Sequence, residues 1–411
     1  MKRVFTHIGE LATATGSVAV CANEQSAVKK LHDAWLLAEN GTIVAVGEGA
    51  APEADEAVDC TGKLVTAGLV DCHTHLVFGG WREHELAMKL AGKSYLEILA
   101  AGGGILSTVR ETRRASEDAL YEKARTLMAE MLRHGTTALE IKSGYGLDLE
   151  TEQKQLCAAN RLKKDNPDIA LTFLGAHAFP EGVEHEAYVN WLIETAIPAV
   201  AKDGLATFCD VFCDEGVFTA EQAERILLAG KRYGLIPKLH ADEIREIGGT
   251  EVAKALGAIS CDHLSETGED GIRALHDGGV IAMMLPATSF WLKKPYGNFR
   301  GMIDAGVAVA VATDMNPGST PNLSLPFAMT TACVYGGLTP EEALTAATLN
   351  GAAAIGMADR IGTLEPGKQA DLVVWDTENL DRLIYRYGTN RAVAVFKRGV
   401  RMTGKENLWN V

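Results

Sequence analysis

Short apolar runs alternate with amphipathic stretches through the middle of the chain. The runs are Leu64–Asp71, Thr136–Lys142, Ala170–His177, Thr207–Cys213, Ile236–His240, Ile259–His263, Val280–Leu285 and Val307–Thr313. Between most of them lie segments with helical spacing: Glu117–Arg133, Glu150–Lys164, His185–Lys202, Thr219–Tyr233, Thr250–Leu256, Gly268–Asp277 and Pro295–Ala305. Several open on a capping residue, such as Ser116 before Glu117 or Thr219 before Ala220. Near-continuous apolar strands alternating with helices form a parallel sheet covered on both faces. Eight such units over about 250 residues predict a closed (β/α)8 barrel of the α/β class. Periodicity alone also allows an open doubly wound sheet, but no Gly-x-Gly-x-x-Gly follows an early strand to favour it.

The two ends are patterned differently. LLAENGTIVAVGEG places two strand-like runs around an Asn40-Gly41 hairpin signal. ADLVVWD and AVAVFKRGVRM near the C-terminus are again short β runs. Both flanks together predict one small, discontinuous β-sandwich domain, residues 1–62 plus 363–411, with the barrel at residues 63–362 between them. A last helix, Pro340–Ile355, is expected on the barrel's outer face.

Composition narrows the class. Hydrophobic residues make up 47% and charged residues 23% of the 411, which excludes disorder as the main theme. The net charge of −15, from 39 Lys and Arg against 54 Asp and Glu, disfavours binding to nucleic-acid phosphates. No window of about 18 uncharged apolar residues predicts a membrane span. The first residues, MKRVFTHIGELATATG, lack the apolar core of a signal peptide. Eight scattered cysteines without a Cys-x-x-Cys pair suit reduced thiols and a cytoplasmic location. Cys209 and Cys213 read as alternate positions of a buried strand rather than a zinc knuckle.

Barrel enzymes carry their chemistry at the C-terminal ends of the strands. Of the 11 histidines, five fall there: His73, His75, His177, His240 and His263. His73 and His75, two apart on an extended segment, point the same way and can meet one ion. With His240 and Asp314 they offer three neutral nitrogens and a carboxylate, a set suited to one Zn²⁺ or one Fe²⁺/Fe³⁺. Glu243 can sit beside the ion without ligating it, as a general acid/base should. Alternatively it is a surface carboxylate or a partner of Arg245. His263 can bond a developing oxyanion and His177 can face substrate, unless either is structural. Lys142 follows the second strand, where a metal-bridging lysine is not expected, and reads as structural.

The segments DCHTHLVFGGWREHEL, KSYLEI, SGYGL, TFLGAHAFP, DVFCDEGVF, LHADEI, DHL, LPATSF and ATDMNPGSTP, in this order, resemble the imidazolonepropionase family of the amidohydrolase superfamily. The resemblance spans nearly the whole chain. It implies hydrolysis of the cyclic amide of 4-imidazolone-5-propanoate to N-formimidoyl-L-glutamate, a step of histidine degradation. It also implies a homodimer and a metal held by His73, His75, His240 and Asp314. The same resemblance places the substrate propionate against Arg82 and Tyr145, with Tyr95 at another substrate position. His177, Glu243 and His263 would line the ring; Asn316, Gly318 and Ser319 would hold substrate or opened product. Catalysis would fall to Glu243, His263 and Asp314. Gly318-Ser319-Thr320 departs from the family's commoner Gly-Thr-Ser, and Gly351 replaces a commoner proline.

Two rivals share part of this pattern. A cytosine- or guanine-deaminase-like aminohydrolase would have the same histidines, Glu243 and Asp314, but a neutral base needs no carboxylate clamp from Arg82 and Tyr145. A barrel kept as a non-catalytic scaffold is disfavoured by the complete ligand set.

Overall fold

The structure is a computed structural model that describes residues 1–93, 97 and 101–403. Its first sheet is built from both flanks. β1 (Lys2–Thr13), β2 (Lys29–Glu39), β3 (Thr42–Glu48), β4 (Glu56–Asp59) and β5 (Leu64–Ala67) come from the N-terminal side. Its second sheet is the barrel: β6 (Leu69–Asp71), β7 (Thr136–Lys142), β8 (Ile169–Ala176), β9 (Phe208–Cys213), β10 (Ile236–Ala241), β11 (Ser260–His263), β12 (Ile281–Met284) and β13 (Val309–Val311). β14 (Leu372–Trp375), β15 (Ala392–Lys397) and β16 (Val400–Arg401) return to the first sheet, whose order is β16-β15-β14-β5-β1-β2-β3 with β4 beside β1. The hairpin from β2 to β3 turns at Asn40 and Gly41, both at positive φ as a tight hairpin turn requires. The sheet curls over its own core: Phe5 on β1 meets Phe396 on β15 edge-on at 4.8 Å, although two strands lie between them.

All eight barrel strands run parallel in sequence order. Outward residues such as Leu139, Ile141, Leu171, Phe173, Val211 and Leu239 join the helices in the largest core. Inward residues Val70, Ala138, Ala170, Phe208, Ile281, Met283 and Ala310 form a second apolar cluster at the barrel's lower end. The seam between β6 and β13 closes through the residues just beyond them. Asp314 N–H donates to His73 O at 3.1 Å, His75 N–H to Met315 O at 2.9 Å, and the Thr313 hydroxyl to Asp71 Oδ2 at 2.7 Å.

Two expectations change. The run Leu64–Asp71 is not one barrel strand. It splits at Gly68 into β5, which pairs with β1 and β14, and β6, which pairs with β7. A Cβ on Gly68 would meet Thr137 Oγ1 at 2.2 Å, so only glycine lets the chain cross there between the sheets. The expected helix Pro340–Ile355 is also two helices. Pro340–Ala346 packs outside, but Leu349–Ala354 turns beneath the barrel and closes its lower end, with Leu349, Ala352 and Ala354 in the interior cluster. Cys209 and Cys213 both lie buried on β9, and no cysteine among the described residues is paired.

Candidate active site

The upper end of the barrel gathers the strand-end histidines. His73 and His75 lie on the extended segment after β6, His240 is the penultimate residue of β10, His263 ends β11, and Asp314 follows β13. His73 Nε2 is 3.3 Å from His75 Nε2, which is 3.5 Å from His240 Nε2. Asp314 Oδ1 is 3.4 Å from His73 Nε2 and 3.6 Å from His75 Nε2. All four side chains are buried. A tetrahedral site with metal–nitrogen bonds of about 2.0–2.1 Å has donor-to-donor edges of about 3.3–3.4 Å. Four edges of this set fall at or slightly above that length.

The protonation states fit as well. Burial, reinforced by the other imidazoles and Lys142, holds His73, His75 and His240 far below the usual imidazole range, so all three are neutral. Metal ligation requires neutral imidazoles. His73 Nδ1–H donates to Asp262 Oδ2 at 2.7 Å, which leaves its Nε2 lone pair facing the cluster. Three nitrogen lone pairs this close repel one another unless a cation lies among them. Thr288 donates to Asp314 Oδ2 at 2.7 Å and leaves Oδ1 on the histidine side. Burial raises Asp314 to about 6, opposed by His263 and Thr288. The donor set therefore fits a divalent metal.

Around these donors stand the other strand-end groups. His263 offers a ligating atom within 4.8 Å of those of His73 and Asp314, and its Nδ1 lies 3.8 Å from Glu243 Oε2. Burial raises the Glu243 carboxyl, but His263 and Lys294 outweigh it and hold the group below its usual range. His177 stacks on His75 at 4.9 Å, and its Nδ1 takes the Gly144 carbonyl at 3.1 Å. Burial pushes His177 down to about 4. Tyr145 is buried, with its ring 5.7 Å from His75 and 5.3 Å from His177. Gly144 has φ +111°, and a Cβ there would press on His177 at 2.8 Å. Asp242, His263 and Asp314 all sit at positive φ, backbone strain gathered at three strand ends.

Arg82 grips Glu85 with two parallel bonds, Nε to Oε1 at 2.8 Å and Nη2 to Oε2 at 3.0 Å. Lys89 shares the same carboxylate at 3.3 Å and donates to Gly318 O at 2.8 Å. Two cations on one acid leave net positive charge beside the loop that follows Asp314. Gly318 packs so tightly on Arg82 that a Cβ would lie 2.0 Å from Nη1. Asn316 is committed within that loop. Its Oδ1 accepts from Gly318 N and Ser319 N, and its Nδ2 donates to Asp314 O and Ser319 Oγ. The structure thus makes Asn316 a shaper of the loop, with Gly318 and Ser319 at its turn. Tyr95 lies outside the described residues.

Sequence reading missed four residues here. Glu152 accepts the amides of Gly144, Gly146 and Leu147 and moulds the Tyr145 loop. Asp214 accepts those of Glu243, Ile244 and Arg245 and sets the Glu243 loop. Glu85 anchors Arg82, and Lys294 lies 3.3 Å from Glu243 Oε1. Only Asp214, an acid directly after a strand, carried a signal.

Residues 64–403 match the family model described as the amidohydrolase family. An imidazolonepropionase of Geobacillus kaustophilus (strain HTA426) is 50% identical over 403 residues, 95% of each chain. One of Treponema denticola is 49% identical, over 92% of this chain and 94% of its own. Among solved structures, a guanine deaminase of C. acetobutylicum shares the fold with a TM-score of 0.74 at 15% identity, over 98% of this chain and all of its own. An adenosine deaminase of Xanthomonas campestris with bound zinc does so with a TM-score of 0.70 at 21% identity, over all of this chain and 94% of its own. The chain therefore belongs to the amidohydrolase family and, within it, to the imidazolonepropionases.

Proposed function

We propose that the chain adds water across the cyclic amide C–N bond of 4-imidazolone-5-propanoate and releases N-formimidoyl-L-glutamate. The observation that carries this is the cationic Arg82–Glu85–Lys89 cluster docked on the loop behind the four-donor site. A neutral nucleobase has no use for that charge, whereas a propionate does. His73, His75, His240 and Asp314 would hold one ion, Zn²⁺ or Fe²⁺/Fe³⁺. Such an ion supplies Lewis acidity and lowers the pKa of water.

The chain's own groups do the rest. Glu243, kept ionised by His263 and Lys294, accepts the proton of the attacking water and returns it to the ring nitrogen as the C–N bond breaks. His263 donates to the oxygen that gains charge on the attacked carbonyl carbon. His177, with Nδ1 taken by Gly144 O, turns Nε2 toward the ring. Arg82 and Tyr145 hold the propionate, Tyr95 adds a contact, and Ser319 with Gly318 meets the polar end of substrate or product. The expected boundary between the small β domain (residues 1–62 plus 363–411) and the barrel (residues 63–362) then moves from residue 63 to Gly68, because β5 pairs within the first sheet. The same reading makes the protein cytoplasmic and a homodimer; sedimentation of the purified chain checks the homodimer.

The decisive assay offers the purified, metal-loaded chain imidazolonepropanoate, guanine and cytosine side by side. Ring opening of the first without ammonia from the others is expected. Ammonia release with the imidazolone untouched would establish a deaminase instead.

A further inference from the structure

Five charged side chains lie fully buried inside the barrel beneath the imidazoles: Glu140, Lys142, Asp210, Lys238 and Asp262. Buried charge is tolerated only when it is paired and hydrogen-bonded. Lys142 is the centre of this group. Its Nζ lies 2.7 Å from Asp210 Oδ2, 3.0 Å from Glu140 Oε1 and 3.4 Å from Asp262 Oδ2. Lys238 takes the far side of Glu140, 3.0 Å from Oε2, and donates to Ala354 O at 3.2 Å.

Each aspartate uses one oxygen twice. Asp262 Oδ2 faces Lys142 and also accepts His73 Nδ1–H at 2.7 Å. Asp210 Oδ2 faces Lys142 and also lies 3.0 Å from His240 Nδ1, without forming a hydrogen bond to it. Ser260 holds the other oxygen of Asp262 at 2.7 Å. One ammonium thus touches the two oxygens that back two of the imidazoles.

We propose that Lys142 is a positioning residue for metal binding: it draws Asp210 and Asp262 together behind His240 and His73, so that Asp262 keeps His73 Nδ1 protonated with Nε2 bare and Asp210 stays pressed against the His240 ring. This rests on the metal reading of the four-donor site. Two carboxylates so close would repel and swing apart without a cation between them, and His73 would lose its acceptor. Further metal-like groupings exist at this level: His73 with Glu140 and Asp262, and Asp210 with His240 and Asp262, each bring ligating atoms within 4.8 Å. Lys142 sits against the three carboxylates of those groupings and fills with a fixed charge the place a second cation would need. Burial opposes its charge, but Asp210, Glu140 and Asp262 more than reverse that and keep it a cation. Outer partners of ligating histidines typically control metal affinity about 10- to 100-fold.

Lys142→Met removes the charge at nearly constant volume. Lys238→Met removes an equally buried charge that contacts Glu140 instead of the aspartates, and so controls for general loss of buried charge. Zinc dissociation constants are measured by competition with a chromophoric chelator, and histidine tautomers by ¹⁵N NMR of the metal-free chain. K142M is expected to bind zinc about 10- to 100-fold more weakly, with His73 in mixed tautomers, while K238M stays near wild type. Unchanged affinity and tautomers in K142M, or an equal loss in K238M, would overturn the proposal. Lys142→Gln replaces K142M if the latter does not fold. The wild-type spectrum is a test needing no variant, since a bare Nδ1 on His73 contradicts the brace. Failure of the wild-type chain itself to bind zinc would instead count against the metal reading.

Discussion

Arg82 does not wave in solvent; it is clamped by Glu85 and pressed against Gly318. A clamped guanidinium meets a carboxylate with little further ordering, and a charged hydrogen bond contributes about 1.5–3 kcal/mol. Arg82→Ala should therefore raise KM for imidazolonepropanoate by one to two orders of magnitude, with metal content unchanged. An unchanged KM would remove Arg82 from the substrate site. Gly318→Ala should act in the same direction, because its methyl group would displace the guanidinium. His177 gives a pH-dependent counterpart. Its folded pKa is about 4 against about 6.5 for free imidazole. Between those values the unfolded chain binds a proton that the folded chain refuses, so stability falls as pH drops through that window. Melts of the metal-free chain from pH 7 to 4 should be less steep in His177→Gln than in wild type; identical slopes would place the imidazole in water. The strand-end histidines and Asp314 were legible because a barrel puts strand ends in one ring. Glu85 and Glu152 were not, and Asp214 only as an acid after a strand, since the backbone amides that these three carboxylates accept belong to loops whose shape spacing does not give.

The helix Pro286–Leu292 escaped sequence reading, and for a physical reason. LPATSF opens on proline and shows no polar face, because Pro286, Ala287, Thr288 and Ser289 are all buried against the site. Yet this one element braces two parts of the chemistry. Thr288 holds Asp314 Oδ2, and the left-handed turn at Lys293 that ends the helix delivers Lys294 to Glu243. Thr288→Val keeps the shape and removes the hydrogen bond. It should weaken metal affinity by about tenfold, the lower end of what outer partners of metal ligands contribute. Equal affinity by chelator competition would show that Asp314 needs no brace. The lower closure makes a different prediction. A Cβ on Gly351 would approach Val70 O to 2.9 Å, so Gly351→Ala overpacks the helix that closes the barrel. Overpacking costs about 1–3 kcal/mol, visible as a lower melting temperature, while kcat stays unchanged because the site lies at the opposite end. That this helix turns inward was not legible. LTAATLNGAAAIG is small and uncharged throughout, so nothing in its spacing marks the break at Thr348. Gly68 was hidden the same way, inside a run buried in both sheets.

At the scale of the whole molecule, the donors His73, His75 and Asp314 stand on the seam that closes the barrel. It matters, then, whether the ion closes the barrel or the barrel builds the ion's site. The seam has its own bonds. Asp71 takes both the amide and the hydroxyl of Thr313, at 3.0 and 2.7 Å, and the backbone pairs Asp314 with His73 and His75 with Met315. The lower end is shut by Leu349–Ala354 and the interior charges pair among themselves. None of these contacts uses the four donor atoms. Removing metal should then leave the far-UV spectrum unchanged and abolish turnover. It should also lower stability only by linkage, about 2.7 kcal/mol relative to protein with free ion at a hundred times its dissociation constant. Thermal melts of chelator-treated and zinc-restored protein measure that difference directly. Collapse of the helical signal on chelation would mean that the lone-pair repulsion among His73, His75 and His240 exceeds what the seam can hold. The ion would then be part of the fold and not merely its guest.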